Sequence, residues 1–117
     1  MKKIITDGIA SYNNQDWSGV RKTFCDSVKV YEFPNSLRDS SADDLVSHYQ
    51  NLFAKYPHNK AGIITITVIG NKLILKQKIS GRGVPFYAVN IYQFANDKIE
   101  KIWFISNSPT TRRPKVK

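Results

Sequence analysis

Asn90, Tyr12, His48 and Glu32 are the side chains of this 117-residue chain whose types and placement could do acid–base chemistry at a carbonyl. Asn90 interrupts the apolar stretch of residues 86–94, so its amide is a candidate hydrogen-bond donor to a ligand oxygen. Tyr12 offers a hydroxyl donor, and His48 or Glu32 could carry a proton. These four residues form the candidate catalytic group.

Aromatic side chains recur along the chain at positions that could enclose a ligand. An aromatic lining with a few polar groups is typical of small-molecule pockets, although some of these rings must simply fill the core. Asn90 could also be a satisfied polar residue against a helix end or at a dimer face, and His48 could lie at the edge of an amphipathic helix. The predicted pocket residues are Trp17, Phe24, Tyr31, Phe33, Tyr49, Phe53, Tyr92 and Trp103.

Metal and cofactor chemistry is not indicated by the sequence. Two histidines and scattered acidic residues show no metal-ligand spacing, and Gly81-Arg-Gly83 alone is a weak phosphate-loop signal. We therefore expect no metal and no cofactor. The single cysteine, Cys25, cannot form an internal disulfide, which favours a reducing compartment. With neither a secretory signal nor a membrane-spanning apolar run, the chain is predicted to be cytoplasmic.

Basic charge is concentrated in the second half of the chain. The net charge is +9, and residues 57–117 carry eleven basic and two acidic side chains. Lys72, Lys76 and Lys78 share one parity of a predicted strand and are followed by Arg82, which predicts a solvated basic face. Clustered cations can bind nucleic acid. However, no aromatic ring is clearly interleaved with these lysines, so nucleic acid is not the expected partner.

Hydrophobic periodicity predicts three helices and five strands. Helices are expected over residues 2–13, from an N-cap at Asp16 through Phe24, and between Ser40-Ser41 and Pro57. Residues 35–41 are expected to be a loop, and Gly70-Asn71 reads as a tight hairpin turn. The predicted strands are residues 27–33, 61–69, 73–80, 86–95 and 99–106.

The element order ααβαββββ predicts an α+β fold. One antiparallel sheet with helices on one face is the economical packing, and strand twist would roll it into a half-open cone. The other face stays apolar at Ile63, Val89 and Ile91, so we predict a homodimer through this outer sheet face. Residues 1–108 are predicted to form one domain, and residues 109–117, with four basic residues, a flexible basic tail.

Three segments make the chain resemble the nuclear transport factor 2-like superfamily, in its SnoaL-like and ketosteroid isomerase-like branch. They are the helix break Ser11-Tyr-Asn-Asn-Gln-Asp-Trp17, the strand Phe24-Cys-Asp-Ser-Val-Lys-Val-Tyr-Glu-Phe-Pro34 and the late strand Asn90-Ile-Tyr-Gln-Phe94. The resemblance implies a cystatin-like α+β barrel, in which a cone-shaped curved sheet wraps around helices and leaves a pocket. It also implies dimerisation through the outer sheet face.

Ketosteroid isomerases hold a developing oxyanion with a tyrosine and a protonated aspartic acid, and another aspartate moves the proton. By resemblance, Gly8 stands at the tyrosine position, Phe33 at the base position and Asn90 at that of the late aspartic acid. The chain thus departs from the pattern at all three. Shifting the alignment by one residue would put Glu32 at the base position and turn Tyr31 and Phe33 outward. Two aromatic side chains, Tyr31 and Phe33, facing the cavity agree better with the rest of the resemblance, so we predict that Phe33 points inward.

The resemblance implies a small-molecule-binding protein with an aromatic-lined cavity and a small apolar partner. A steroid delta-isomerase-like or lyase-like reaction next to a carbonyl is one interpretation, but enzymatic activity stays open because Phe33 cannot accept a proton. The alternative is a non-catalytic binding or protein-interaction module, with nucleic-acid association of the basic half as a weaker option. A cone filled by Trp17, Phe33 and Trp103 would favour the alternative.

Overall fold

Three helices lie on one face of a six-stranded sheet in the computed structural model, which describes residues 1–106. The predicted basic tail, residues 109–117, lies outside the described residues, as does the end of the predicted domain. The elements are α1 (Lys2–Asn13), α2 (Trp17–Arg21), β1 (Phe24–Glu32), β2 (Ser36–Asp39), α3 (Ala42–Lys55), β3 (Lys60–Ile69), β4 (Lys72–Ser80), β5 (Phe86–Ala95) and β6 (Lys98–Ser106).

The sheet has the strand order β2-β1-β6-β5-β4-β3. β1 and β6 run parallel, and the other neighbouring pairs are antiparallel. The prediction of a wholly antiparallel sheet was therefore wrong at this one pair. β1 is separated from β6 by the whole of α3 and the β3–β5 meander, so the chain has the length that a parallel connection requires.

The predicted loop at residues 35–41 contains the short edge strand β2, so the true order is ααββαββββ. β2 pairs with the end of β1, with Leu37 opposite Tyr31 and Ser36 opposite Glu32. The segment Ser36–Asp39 has little intrinsic strand propensity. Its conformation is decided by the neighbouring strand, which the local sequence does not reveal.

The helix predicted through Phe24 ends earlier, at Arg21, and Phe24 begins β1. Asp16 caps this short helix as expected, since its carboxylate accepts a hydrogen bond from the Gly19 amide at 3.1 Å. The backbone then joins β6, because the Ile99 amide donates to the Thr23 carbonyl at 3.0 Å. Tertiary pairing thus overrides the helical spacing of the apolar residues.

The C-terminal end of α1 is fastened to the edge of the sheet. The Asn13 side chain donates from Nδ2 to the Ala61 carbonyl at 2.9 Å and accepts from the Ala61 amide at 2.8 Å. One amide side chain thereby completes the backbone hydrogen bonding of an edge strand. These two hydrogen bonds hold α1 across the inner face of the sheet and keep the C-terminal end of α1 beside β3.

Strand alternation separates a buried inner face from an outer face. On β4 the inward residues Leu73 and Leu75 are fully buried against the helices, whereas Lys72, Lys76 and Lys78 are exposed on the outside. The predicted exposure of these three lysines is confirmed. The hairpin turn at Gly70-Asn71 also forms as predicted between β3 and β4.

No helix within residues 1–106 combines the length and the apolar character needed to cross a membrane. The predicted cytoplasmic location stays a prediction.

Ser41, rather than Ser40, is the N-cap of α3: its hydroxyl accepts a hydrogen bond from the Asp44 amide at 3.0 Å. We expect Ser41→Ala to lower the free energy of unfolding by about 1 kcal/mol, because the amide loses its partner. Urea denaturation of the two single variants measures this. The matched control is Ser40→Ala, at the exposed neighbouring position. Equal midpoints for both variants would contradict the assignment.

Candidate ligand-binding cavity

A cavity of about 290 Å³ lies between the helices and the inner face of the sheet. All three helices contribute to its wall, and the strands contribute inward-facing side chains. Its volume is close to the lower end of the range of about 300–1,000 Å³ that is usual for ligand pockets. The polar residues of the wall are Tyr12, Thr23, Glu32, Arg38, His48, Tyr49, Gln77, Arg82, Asn90, Tyr92 and Ser106.

Three tyrosines present hydroxyl groups in this cavity. Burial raises the pKa of Tyr12, raises the pKa of Tyr92 to about 12 and raises that of Tyr49 well above its usual value. All three are therefore protonated at neutral pH and can donate hydrogen bonds. The Tyr12 hydroxyl already accepts from Asn59 Nδ2 at 2.7 Å, and that of Tyr92 accepts from Asn90 Nδ2 at 2.9 Å. Their own protons are thus available to a ligand.

Two amide side chains on neighbouring strands end in unsatisfied oxygens. Asn90 Oδ1 and Gln77 Oε1 are buried and have no hydrogen-bond partner among residues 1–106. Asn90 is 3% exposed and Gln77 5%, and both line the cavity. An unpaired buried polar group costs about 1–3 kcal/mol. Rotating the Asn90 amide by 180° would exchange Oδ1 with Nδ2, but one of these two atoms would still need a hydrogen-bond partner.

Charged residues form a cluster at the β1–β2 side of the cavity. Arg38 lies 3.1 Å from Asp39 and 3.6 Å from Glu32, and its guanidinium sits 4.5 Å from the ring centre of Phe104. The Nδ1 atom of His48 lies 3.8 Å from the Asp39 carboxylate. Asp39, itself buried, is therefore placed between the arginine and the imidazole and can orient both.

His48 is half-buried, and its imidazole is held in the neutral form. Its pKa is lowered from 6.5, first by desolvation and then by the positive charge of Arg38, which outweigh the opposing effects of Asp39 and Glu32. A histidine whose pKa lies below 6.5 is mostly unprotonated at pH 7, so it can accept a proton from a ligand.

The β4–β5 turn brings Arg82 into the cavity wall. Its Nε atom donates to Asn59 Oδ1 at 2.7 Å, and Asn59 is fully buried. The turn can approach closely only because residue 81 is glycine: it has φ +85°, and an added Cβ would clash with the His58 carbonyl oxygen. The Gly81-Arg-Gly83 segment, weak as a phosphate-loop signal, thus acts as a positioning turn.

The structure brings the four candidate catalytic residues into one cavity wall. Tyr12 comes from α1, His48 from α3, Asn90 from β5 and Glu32 from the end of β1. Of the predicted pocket residues, three also line the cavity: Phe24, Tyr49 and Tyr92.

The prediction that Phe33 points inward was wrong. Phe33 is 57% exposed, whereas Glu32 lines the cavity. Val28 and Val30 are fully buried on β1, so residue 32 shares their inward parity. Tyr31 faces the other way and stacks on Trp103 with ring centres 5.9 Å apart. The alternative alignment, which turns Glu32 inward and Tyr31 and Phe33 outward, agrees with the orientation of these three side chains.

The remaining predicted pocket residues do not line the cavity. Tyr31 and Trp103 stack outside it. Trp17 and Phe53 pack against each other at 5.5 Å, and Phe53 also packs against Tyr12 at 5.1 Å. These two rings form the support beneath the Tyr12 ring, so they belong to the core. Their helical spacing could not distinguish the two roles.

Sequence reasoning missed four residues that shape the site. Gln77 could have been found, because it has the inward parity of Leu73 and Leu75 on β4. Arg82 was grouped with the basic outer face, and that grouping was wrong, since the turn directs it into the cavity wall. Arg38 and Asn59 depend on β2 and on a loop, and no local pattern marks them. Among residues 1–106, no group of three acidic, histidine or cysteine side chains could hold a metal ion.

Solved structures with the same architecture come from several bacteria. A cystatin-fold protein of Novosphingobium aromaticivorans matches with 22% identity and a TM-score of 0.81 over 88% of this chain and 95% of that one. A proposed polyketide cyclase of Sinorhizobium meliloti matches with 17% identity and a TM-score of 0.78 over 88% and 94%. A proposed ketosteroid isomerase of Kribbella flavida matches with 10% identity and a TM-score of 0.79 over 97% and 82%.

These matches show that the chain has the cystatin-like, nuclear transport factor 2-like fold, and they confirm the predicted resemblance at the level of fold. No protein-family model matches the sequence, and no curated protein matches it.

Gly81 and Gly83 form a matched pair for testing the positioning turn. Both have positive φ, but nothing lies within 4 Å of a Cβ added at Gly83. Gly83→Ala should therefore cost only the backbone strain, about 1–2 kcal/mol. Gly81→Ala should destabilise more, because the methyl group meets the His58 backbone. Urea unfolding of both variants checks this, and equal losses would show that the close approach is unimportant.

Proposed function

We propose that this protein binds a small, mostly apolar carbonyl compound in the cavity and moves a proton next to the carbonyl group. The observation that carries the proposal is the combination in one cavity wall of three protonated tyrosine hydroxyls, the Asn90 amide and the neutral imidazole of His48. The names of two structural neighbours, a proposed polyketide cyclase and a proposed ketosteroid isomerase, agree with such chemistry.

The proposed reaction uses one base, His48, and several hydrogen-bond donors. His48 removes a proton from the carbon next to the carbonyl, and the C–H electron pair becomes the enolate, whose negative charge rests on oxygen. The hydroxyls of Tyr12, Tyr49 or Tyr92 stabilise that oxygen, as preorganised donors do in a low-dielectric site, and the Asn90 Nδ2 hydrogen bond orients Tyr92. The imidazolium then returns the proton to the same or to a conjugated carbon, so no other reactant is consumed.

Asp39 supports this assignment of the base. A carboxylate 3.8 Å from Nδ1 favours the tautomer in which Nε2 is unprotonated, and it stabilises the imidazolium during the reaction. Glu32 is a less suitable base because its carboxylate faces Arg38 at 3.6 Å and its side chain is 49% exposed.

The non-catalytic alternative requires a cone filled by side chains. Trp17, Phe33 and Trp103 were the residues expected to fill it, and none of them lines the cavity. The 290 Å³ volume is small for a four-ring molecule, so it favours a ligand of one or two rings.

Deuterium exchange of 2-tetralone in D2O, followed by NMR, tests the proposal. The wild type should accelerate exchange at the carbon next to the carbonyl, and His48→Gln should reduce this acceleration about 100-fold, because the base is lost. The rate should rise with pH through a midpoint below 6.5, since only neutral His48 accepts a proton. Ser47→Ala, at an exposed position on the same helix, is the matched control.

Binding without exchange would refute catalysis and leave a binding protein. Exchange that persists in His48→Gln would refute the assigned base. If 2-tetralone neither binds nor exchanges, the cavity proposal itself fails.

We also propose a homodimer through the outer sheet face. Residues in register across five strands form an apolar row there, with Val89 and Ile105 beside it. Such a row is self-complementary across a two-fold axis and would be covered by a second copy of itself. The row consists of Leu37, Tyr31, Trp103, Ile91 and Ile74.

Ile105→Glu should abolish this dimer, because it would place two charges in an apolar interface. Ile105 is 41% exposed in the single chain, so the fold should survive the change. Sedimentation equilibrium should give twice the chain mass of 13.4 kDa for the wild type and for Val84→Glu, an exposed control in the β4–β5 turn. A monomeric wild type would overturn the proposal.

A further inference from the structure

Arg82 is a cavity-lining cation that the proposed proton transfer does not use. Asn59 fixes its Nε atom, and its guanidinium lies 5.3 Å from the ring centre of Phe86 and 5.8 Å from that of Tyr56. The aromatic rings and the buried amide restrain the side chain. Arg82 also hydrogen-bonds the Tyr12 hydroxyl, and the remaining N–H groups of its guanidinium can serve a ligand beside Tyr12.

Within residues 1–106, no carboxylate compensates the charge of Arg82. Arg21 pairs with Asp26 and Asp43, both at 3.0 Å, and Arg38 likewise pairs with two carboxylates. Arg82, in contrast, has no carboxylate within 4.0 Å among residues 1–106. Residues 107–117 contain neither aspartate nor glutamate. A half-buried guanidinium in this setting favours an anionic partner.

The positive charge of Arg82 affects the ionisation of neighbouring side chains. Arg82 acts to lower the pKa values of both Tyr12 and His48, and Arg38 acts in the same direction on both. Arg38, however, is already neutralised by Glu32 and Asp39. The part of the cavity beside Tyr12 is therefore the place where a negatively charged ligand group gains most.

Farther along β4 and β5, the cavity wall needs a hydrogen-bond donor on the ligand rather than an anionic group. Asn90 lies four residues beyond Phe86 on β5, a separation of about 13 Å along the strand. Gln77 faces Ala88 across the β4–β5 ladder, so it lies diagonally next to Asn90. Both amides present an unpaired buried oxygen to the cavity. These acceptors call for a hydrogen-bond donor on the ligand, which an aliphatic or aromatic hydroxyl supplies.

We infer that the carbonyl compound bound in the cavity also carries a carboxylate and a hydroxyl group. The carboxylate pairs with the remaining N–H groups of Arg82, the apolar body fills the aromatic and aliphatic middle, and the hydroxyl donates to Gln77 or Asn90. This inference rests on the proposed function, since it names the ligand class of the same cavity.

Calorimetric titration with two matched probes tests the inference. 3-(4-Hydroxyphenyl)propanoate carries the carboxylate, and 3-(4-hydroxyphenyl)propanamide has the same shape without the charge. At pH 7.5 the acid should bind the wild type at least tenfold more tightly than the amide. Arg82→Gln should abolish that preference, whereas Arg82→Lys, which keeps the charge, should retain part of it. Lys78→Gln removes an exposed charge from β4 and should leave the preference unchanged.

A third probe, 3-phenylpropanoate, tests the end of the cavity that Gln77 and Asn90 form. Loss of the hydroxyl should weaken binding to the wild type severalfold, but it should have no effect in the Gln77→Leu, Asn90→Leu double variant.

Each alternative result overturns the inference in a distinguishable way. Equal binding of acid and amide would refute the carboxylate site and leave the proposed cavity intact. If Arg82→Gln weakened both probes equally, Arg82 would only position Asn59 and Tyr12. Failure of these probes together with 2-tetralone would refute both the inference and the proposed function. Thermal unfolding of each variant shows whether the fold is retained.

Discussion

The fully buried amide of Asn59 joins parts of the cavity wall that come from distant regions of the sequence. It donates to the Tyr12 hydroxyl on α1 and accepts from Arg82 in the β4–β5 turn, both at 2.7 Å. A buried amide must be hydrogen-bonded to be tolerated, so this residue fixes the distance between the helix and the turn. Asn59 lies just before β3, and α1 is fastened to β3 through Asn13 and Ala61. The two contacts together hold one end of α1 against the sheet.

Both tryptophans, and the rings of Tyr31 and Phe53, lie outside the cavity wall, which leaves room for the cavity. Tyr31 and Trp103 stack on the outer face, and Trp17 and Phe53 support Tyr12 from behind. The inner face of β4 and β5 instead carries smaller or polar side chains at Ala88, Gln77 and Asn90. Close packing of the core is maintained around the cavity, whose wall is left with polar groups that a ligand can satisfy.

Charge is arranged differently inside and outside the cone. The net charge of +9 arises largely from exposed lysines and from residues beyond the described part of the chain. Inside, Glu32, Arg38 and Asp39 form a network that surrounds His48, and Arg82 stands apart from it. The network supplies an oriented neutral imidazole, and the separate arginine supplies a positive field. A site with both features can distinguish ligands by their charge as well as by their shape.

The sequence alone determined the elements whose signals are local. The period of the apolar residues located α1 and α3. The Ser40-Ser41 pair and the Gly70-Asn71 turn set boundaries, and the alternation on β4 separated its lysines from its core leucines. The resemblance to the nuclear transport factor 2-like superfamily followed from the order of these elements. Residue types and their places on the predicted elements put Tyr12, His48, Asn90 and Glu32 among the candidates before any contact was visible.

Only the tertiary structure decided which residues meet in the cavity. The parity of β1 depends on pairing with β6, and a shift of one residue exchanges Glu32 with Phe33. β2 and the β4–β5 turn take their form from the strands and loop beside them, so Arg38, Asn59 and Arg82 carried no local signal. Contacts between residues distant in the chain are fixed by packing and by the need to satisfy buried polar groups, which no short stretch of sequence records.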